Sequence, residues 1–515
     1  MTPFSAPVED ILFSLRDVAG AARVPDWDAD LTGEIIAQFA RFAEDIIAPL
    51  DESGDAQGCR LDAGRVVMPD GFKEAYGQLA EGGWQGLTLP EDHGGMALDP
   101  LTAAAVSEVF SGACHSLQMI CNLVPGAAAT LRRFGSPDQQ GEWLPKLASG
   151  AVLSTMCLTE AGAGSDLSRI RTRATRDGEN WALTGDKIFI SGGDQNLSDD
   201  ILHLVLARTG TPGDGIKGLS LFLTSKSGAG EAISITRIEE KLGLHASPTC
   251  QIAFDDAPAE LLGHEGAGLA AMFTMMNHAR IDVALQGVAH ASRAHHIAQS
   301  YATTRQQGRK PDGRDAMLAD HADVARMLAD QESLSLGARA MAHIALVEMA
   351  LGARPALVDF LTPVCKVFCT EAGIRAADLG IQILGGYGYL TEYRIAQTWR
   401  DARITAIYEG ANGIHAAAIA TRGLKGEGGD HFAALIGELT DNPRVLALLA
   451  RWNDARTTLT KSATPTAHAH DFMALTSTLF YRAVWCKIAA ADPARAPLRD
   501  HVLNAPLPIG DAAFT

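Results

Sequence analysis

The sequence predicts a mainly α-helical chain with a β-domain set in its middle. Three observations carry this. Apolar residues recur at helical spacing up to about residue 155. Short alternating or β-branched segments take over from 156 to 265. Helical spacing then returns from Gly268. With 515 residues, 47% hydrophobic and 20% charged, the chain has material for about three domain-sized units with real cores.

In the first part, LTGEIIAQFARFAEDIIAPL places Ile35, Ile36, Phe39, Phe42 and Ile46 on one stripe, a helix expected to stop at Pro49. GFKEAYGQLAEGGW and the Ala-rich run from Leu101 read as further helices, with TLPEDHGGMALDP as a loop between them. From 156 the strand-like segments are WALTGDKIFISGG, ILHLVLART, GLSLFLTSK, AISITRIEEKL and CQIAFDDAP. They are separated by the turn chemistry of GGDQNLSDD, GTPGDG and KSGAG. Five or more strands so close together predict a barrel or sandwich. Helical segments at 268–307, 317–352, 356–384 and 392–422 then predict an antiparallel four-helix bundle. The remainder reads as more helices and a proline-punctuated tail. The expected division is 1–155, 156–265, 266–425 and 426–515.

A net charge of −18 argues against nucleic acid or an anionic membrane as the main partner. The tail from Lys425 holds nine basic and nine acidic residues, so it offers no basic face. The eight Cys form no CxxC pair, which points away from zinc and redox motifs and fits a reducing, cytoplasmic setting. Cys365 and Cys369 share a helix face but read better as buried small apolar residues than as a metal pair. His295 and His296 are adjacent on a helix and cannot chelate one ion together, so no metal site is expected. No basic segment precedes an apolar run at MTPFSAPVEDILFSL, and no stretch nears 18 uncharged apolar residues. Neither a signal peptide nor a membrane span is predicted. A GxGxxG fingerprint at Rossmann spacing is absent, which argues against a nicotinamide domain.

Three segments carry chemistry. MCLTEAGAGSD, 156–166, has small residues that let backbone approach a flat or anionic ligand, flanked by the hydroxyls of Thr159 and Ser165. ILGGYGY, 383–389, is a Gly-rich loop between helices, with Gly385 placed to cap one. IYEGANGIH, 407–415, sets Glu409 among apolar neighbours, where a carboxylate is pushed towards the pKa of a general base. Taken singly, each segment is better explained blandly: a capped turn, a helix end, and a surface Glu at a helix N-terminus.

Their order, within a helical–β–helical layout, resembles the acyl-CoA dehydrogenase family over about residues 30 to 425. MCLTEAGAGSD and QILGGYGYLTEY followed by RDARITAIYEG carry the likeness. KIFISGGDQNLSDDILHLVLART, EEKLGLHASPTC, MFTMMNHARIDVALQGV and YATTRQQGR look like the subfamily that contains 3-methylmercaptopropionyl-CoA dehydrogenase. The resemblance implies an N-terminal helical domain, a middle β-barrel, a C-terminal four-helix bundle and an extra helical tail. It implies FAD-dependent oxidation of an acyl-CoA to a trans-2-enoyl-CoA, with Glu409 taking the α-proton while the β-hydride passes to the flavin. The substrate would be 3-methylmercaptopropionyl-CoA or a short- or medium-chain acyl-CoA. The acceptor would be electron-transferring flavoprotein, and the assembly a homodimer or homotetramer.

By matching position, Met156, Leu158, Thr159, Gly164 and Ser165 would contact the flavin, with Ser165 also near the substrate. Phe189 and Ser191 would cover the isoalloxazine, where many relatives have Trp and Thr. Arg305, Gln382 and Gly386 would reach a neighbouring subunit's FAD, and Ala411 and Gly413 would lie against the cofactor. Asn277 and Arg280 match positions that hold the CoA part, and Tyr408 and Gly410 flank the substrate. Gly308 stands where many relatives have an aromatic, and Ala411 where they have a hydroxyl. Some relatives take their base from the residue before the matching Arg; here that residue is Ala279, which leaves Glu409. Two rival readings remain: an oxidase of the same fold using oxygen, and a non-catalytic flavoprotein associated with DNA. The second would want a basic tail.

Overall fold

The computed structural model describes residues 2–178 and 180–507, except for the side chains of Asp177, Asn277 and His278. They form two compact units. One holds the described residues of Met1–Glu44, Pro100–Gly112 and Arg280–Thr515; the other holds Asp45–Asp99 and the described residues of Ala113–Ala279.

The second unit contains β1 (Val152–Cys157), β2 (Arg173–Asp177), β3 (Asn180–Ser191), β4 (Asp200–Arg208), β5 (Leu219–Ser225), β6 (Ile233–Ile238) and β7 (Thr249–Leu262). Five of these close into a barrel in the order β4-β2-β3-β7-β5 and back to β4. The seam is narrow, a single parallel pair, Arg173 opposite Arg208. β1 adds to β4 in parallel and β6 adds to β7. β4, DILHLVLAR, is buried along almost its whole length, and between its charged ends its apolar run is interrupted only by His203, as a strand covered on both faces allows.

The first unit is helical. Its main elements are α1 (Ala29–Phe42), the 280–304 part of α2 (Gly268–Thr304), α3 (Ala322–Leu351), α4 (Pro355–Leu384), α5 (Ile395–Ala402) and α6 (Asn412–Ala418). Beyond them come α7 (Gly428–Leu439), α8 (Pro443–Lys461) and α9 (Ala469–Ala491). α3 is long and apolar enough to cross a membrane, but 78% of its most apolar window is buried inside the protein, as in a core helix. α2 and α4 touch through backbone. A Cβ on Gly287 would lie 2.3 Å from the Cys369 carbonyl oxygen, and one on Gly373 2.5 Å from that of Gly287. Only glycine permits this approach. Cys365 and Cys369 turn from α4 onto α3, each Sγ 3.4 Å from a carbonyl, of Met341 and Ala338 respectively. They are buried thiols, and among the described residues no group of His, Cys, Asp and Glu is arranged to hold a metal. α9 packs its Trp485 on α3, donating to the Ser333 carbonyl at 3.2 Å.

Two helices depart clearly from the expectation, and a short strand pair, Gln306–Arg309 with Asp315–Met317, begins where the helix expected to reach 307 has already ended. Helix does not stop at Pro49. A π turn at Ala43–Ile47 follows α1, and Pro49 falls in the first turn of a further helix, Ala48–Gln57, where a missing N–H costs nothing. The fourth expected bundle helix, 392–422, is broken into α5, a 3₁₀ turn at Arg403–Ala406, a loop, and α6. Glu409 at φ +52° and Gly410 at φ +91° are left-handed, and no right-handed helix can run through them. Gly385 does cap α4, at φ +61°.

Candidate active site

The break is held open from beneath. Among the buried residues of α4, Lys366 alone is charged. Its Nζ donates to the Gly410 carbonyl at 2.8 Å and to Asn412 Oδ1 at 2.9 Å. Asn412 opens α6, and its Nδ2 donates back to α4, at 3.2 Å to both Thr370 Oγ1 and Glu371 Oε1. One turn along α6, His415 Nε2 sits 3.1 Å from the Glu409 carbonyl oxygen. Burial pushes the His415 pKa down to about 4, so the ring is neutral near pH 7 and must carry its proton on Nε2 to make this bond. Successive carbonyls, of Glu409 and Gly410, are thus gripped from two helices. A Cβ at position 410 would lie 2.7 Å from His415 Nε2, so any side chain there would push on the ring that grips the turn, and φ +91° already favours glycine. Holding Glu409 itself at positive φ costs on the order of 1 kcal/mol, which the grip must offset.

This turn aims the Glu409 side chain inward. The residue keeps some exposure overall, but Oε2 is buried with no hydrogen-bond partner among the described residues. Burial pushes the carboxyl pKa up to about 7. Arg280 and Lys366 pull it down, and Asp282 adds to the push. A chain of hydrogen bonds fixes the neighbouring residue: Tyr408 donates to Gln286 Oε1, Gln286 Nε2 donates to Asp282 Oδ2 at 2.8 Å, and Ser107 Oγ donates to Asp282 Oδ1 at 2.5 Å. Glu409, Tyr408, Gly410 and Arg280 therefore gather in one place. Asn277 lies on α2, and its side chain is outside the described residues. Ala411 is the N-cap of α6 and supplies no side-chain cap, while Gly413 in the first turn has open space where a Cβ would stand.

A second feature of the helical unit is a groove of about 600 Å³ whose lining includes Arg305, Gln382, Gly386, Tyr301, Tyr387 and Leu390. The Arg305 guanidinium lies 5.7 Å from the centre of the Tyr387 ring, and Gly386, too, has open space where a Cβ would stand.

In the barrel unit, MCLTEAGAGSD leaves β1 and enters a loop. Lys187, fully buried on β3, donates at 2.9 Å to both the Leu158 carbonyl and Glu160 Oε1. Glu160 also accepts from the Arg171 N–H at 2.7 Å and the Thr172 N–H at 2.9 Å, and Ile188 N–H donates to the Thr159 carbonyl. Met156 and Thr159 are half-buried. Gly164 and Ser165 are exposed, with open space at Gly164. A register shift on β3 between Lys187 and Ile190 puts Phe189 at φ +59° and leaves the residue 60% exposed, with Ser191 half-buried beyond it. A strained bulge that turns a large apolar ring outward, beside a rigid loop with an open glycine cradle, suits a flat, polar-edged ligand. These residues fit FAD.

Reading from sequence did not single out Lys366, Asn412, His415, Gln286, Asp282, Lys187 or Glu160. The available signals were a lone Lys inside the apolar run VCKVF and a second one in the strand DKIFI, since a charge in such a run must be paired when buried.

The chain matches three family profiles in order: acyl-CoA dehydrogenase N-terminal domain over 32–151, middle domain over 155–257 and C-terminal domain over 266–424. It is 40% identical over 471 residues to 3-methylmercaptopropionyl-CoA dehydrogenase of Ruegeria pomeroyi, covering 85% of this chain and 80% of that protein. The structure of butyryl-CoA dehydrogenase from Megasphaera elsdenii superposes with a TM-score of 0.67 at 27% identity, over 76% of this chain and 97% of that one. Caenorhabditis elegans ACDH-11, crystallised with C11-CoA, superposes with a TM-score of 0.83 over 98% of this chain and 91% of its own, at 21% identity, so its fold extends through the C-terminal helices. With profiles spanning most of its length and a relative at this identity, the chain belongs to the acyl-CoA dehydrogenase family of flavoprotein oxidoreductases.

Proposed function

We propose that Glu409 removes the α-proton of an acyl-CoA thioester, which leaves as a trans-2-enoyl-CoA. One observation carries this reading: the carboxylate is buried, unpartnered at Oε2 and shifted to about 7. Such a group exchanges a proton near neutral pH with little driving force lost, as a general base should. The thioester must be polarised for its α-proton to leave, and the resemblance to the family implies the backbone N–H of Glu409 as a donor to that oxygen. FAD, when bound, supplies the acceptor for the β-hydride. Met156, Leu158, Thr159, Gly164 and Ser165 would hold the flavin, and Phe189 and Ser191 would cover its ring. Arg305, Gln382 and Gly386 complete the site of a neighbouring subunit in a homodimer or homotetramer. Ala411 and Gly413 lie along the cofactor, and Asn277 and Arg280 hold the CoA part. The substrate is 3-methylmercaptopropionyl-CoA or a short- or medium-chain acyl-CoA, the first because a relative of that name is 40% identical. Electron-transferring flavoprotein takes the electrons onward. Eight free thiols suit a reducing, cytoplasmic compartment.

Purified protein is expected to be yellow, with about one FAD per chain. Its visible spectrum should bleach anaerobically with a panel of acyl-CoA thioesters, and the fastest of them names the substrate class. Colourless protein that takes up no added FAD would end the reading. Peroxide formed in step with substrate, in place of dye or flavoprotein reduction, would make the enzyme an oxidase.

The pH dependence has a fixed sign. Glu409 acts ionised and its pKa lies at about 7, so the rate of flavin reduction should rise with pH through about 7 and level off above it. Well below 7 the rate should fall about tenfold per pH unit. Stopped-flow traces from pH 5.5 to 9 test this; a rate flat across the range would contradict it.

A further inference from the structure

Burial pulls the Lys366 pKa down to about 8, so the side chain is mostly an ammonium at neutral pH, and it is paired in an unusual way. A buried charge is expensive unless hydrogen-bonded and paired. Its two hydrogen-bond acceptors are neutral oxygens, of Gly410 and Asn412, on residues that closely follow the base. The charged groups that face it are Glu409, Glu371 and Arg280. Those that face Glu409 are Arg280, Lys366 and Asp282, and Arg280 in turn faces Arg422. His415 grips the same loop but is neutral. Of the two gripping side chains, then, only Lys366 brings both a tether and a charge to the carboxylate.

We propose that Lys366 is a positioning residue for the base: from α4 it locks the left-handed turn that carries Glu409, and its charge favours the ionised carboxylate. The tether acts through geometry. Gly410 is the only residue between Glu409 and the N-cap of α6, so fixing its carbonyl restrains the backbone that follows the base. The charge acts through the field, since a cation close to a buried carboxylate lowers its proton affinity. Both effects serve the same end, a base aimed at one point and deprotonated at neutral pH. A lysine that merely filled space would supply neither.

The proposal rests on Glu409 being the base, and the experiment separates the two. FAD-loaded wild type, Lys366→Met and Lys366→Arg are compared in stopped-flow, anaerobically across pH, using the acyl-CoA that bleaches wild type fastest. Hydrogen exchange is followed in peptides covering 404–415. Lys366→Met is close in length but lacks donors and charge. It should keep its flavin, move the midpoint of the pH profile up by about one unit, lower the plateau rate about tenfold, and speed exchange in 404–415. Lys366→Arg keeps the charge, so its midpoint should stay at the wild-type value and most of the plateau rate should return. Should Lys366→Met fail to fold, Lys366→Gln, shorter and uncharged, should likewise speed exchange in 404–415 and move the midpoint up. Wild-type exchange there in either variant, or a slower Lys366→Met enzyme with an unmoved midpoint and no rescue by arginine, would overturn the proposal. Full activity in Glu409→Gln would instead sink the base assignment and leave the exchange result on the tether standing.

Discussion

Glu409→Gln is expected to slow flavin reduction by a good acyl-CoA at least about 100-fold while leaving FAD content and acyl-CoA binding near wild type. Glutamine keeps the size and shape of the side chain, so the left-handed turn at 409, set by bonds from His415 and Lys366 to backbone carbonyls, has no reason to change. What changes is that an amide cannot accept the α-proton. A positioned base contributes roughly 10²–10⁴-fold, so the loss should be seen in the reductive half-reaction itself and not only in turnover. The pH dependence should go with it: without a group titrating at about 7, the residual rate should be nearly flat across that range. Anaerobic stopped-flow at several pH values reads both effects at once. A Gln variant that reduces its flavin at close to the wild-type rate would remove Glu409 from the mechanism.

Much of this arrangement is legible in the sequence, and the parts that are not have a common cause. The barrel strands announce themselves because alternation and turn residues are local; WALTGDKIFIS and DILHLVLAR are β3 and β4 almost residue for residue. The closure of the ring is not local, because it depends on Arg173 meeting Arg208 across the intervening chain. The stretch 392–422 holds no proline to stop a helix and reads as one. The break at 409–410 is held by Lys366, 44 residues away from Gly410. Read from its own segment, Glu409 looks like a surface carboxylate; the charged groups that surround it come from α2 and α4. Only the joint order of three weak motifs points to its chemistry. Pro49 teaches the same lesson on a smaller scale: a helix stop in sequence becomes a helix start once a π turn precedes it.

The barrel unit has its own buried ion pair, and Lys187→Met is expected to show how firmly it supports the loop proposed to hold the flavin. Lys187 and Glu160 are both buried and share one network of bonds. Lys187 donates to the Leu158 carbonyl and to Glu160, Glu160 accepts from the Arg171 and Thr172 N–H groups, and Ile188 holds the Thr159 carbonyl alongside. Burial pushes the Lys187 pKa down and the Glu160 carboxylate resists it. Burial also pushes Glu160 up, but Lys187 and the hydrogen bonds outweigh it and hold the carboxyl below its usual range. Removing one partner of such a pair leaves the other buried and uncompensated, which costs about 3–5 kcal/mol. For a unit of this size that is a drop of roughly 6–20 °C in its melting temperature. Removing both charges should cost less, so Lys187→Met with Glu160→Gln is expected to recover part of the loss. The loop held by this pair carries Leu158, Thr159 and Ser165, so release of FAD on heating should track the unfolding and occur earlier in the single variant. The sign with pH follows from the lowered Glu160 pKa: stability from that group is present above the ordinary carboxylate range and is lost as pH falls through its folded value. Flavin fluorescence during a thermal ramp, for wild type, single and double variants, measures all of this. If Lys187→Met releases FAD at the wild-type temperature, the pair does not hold the loop.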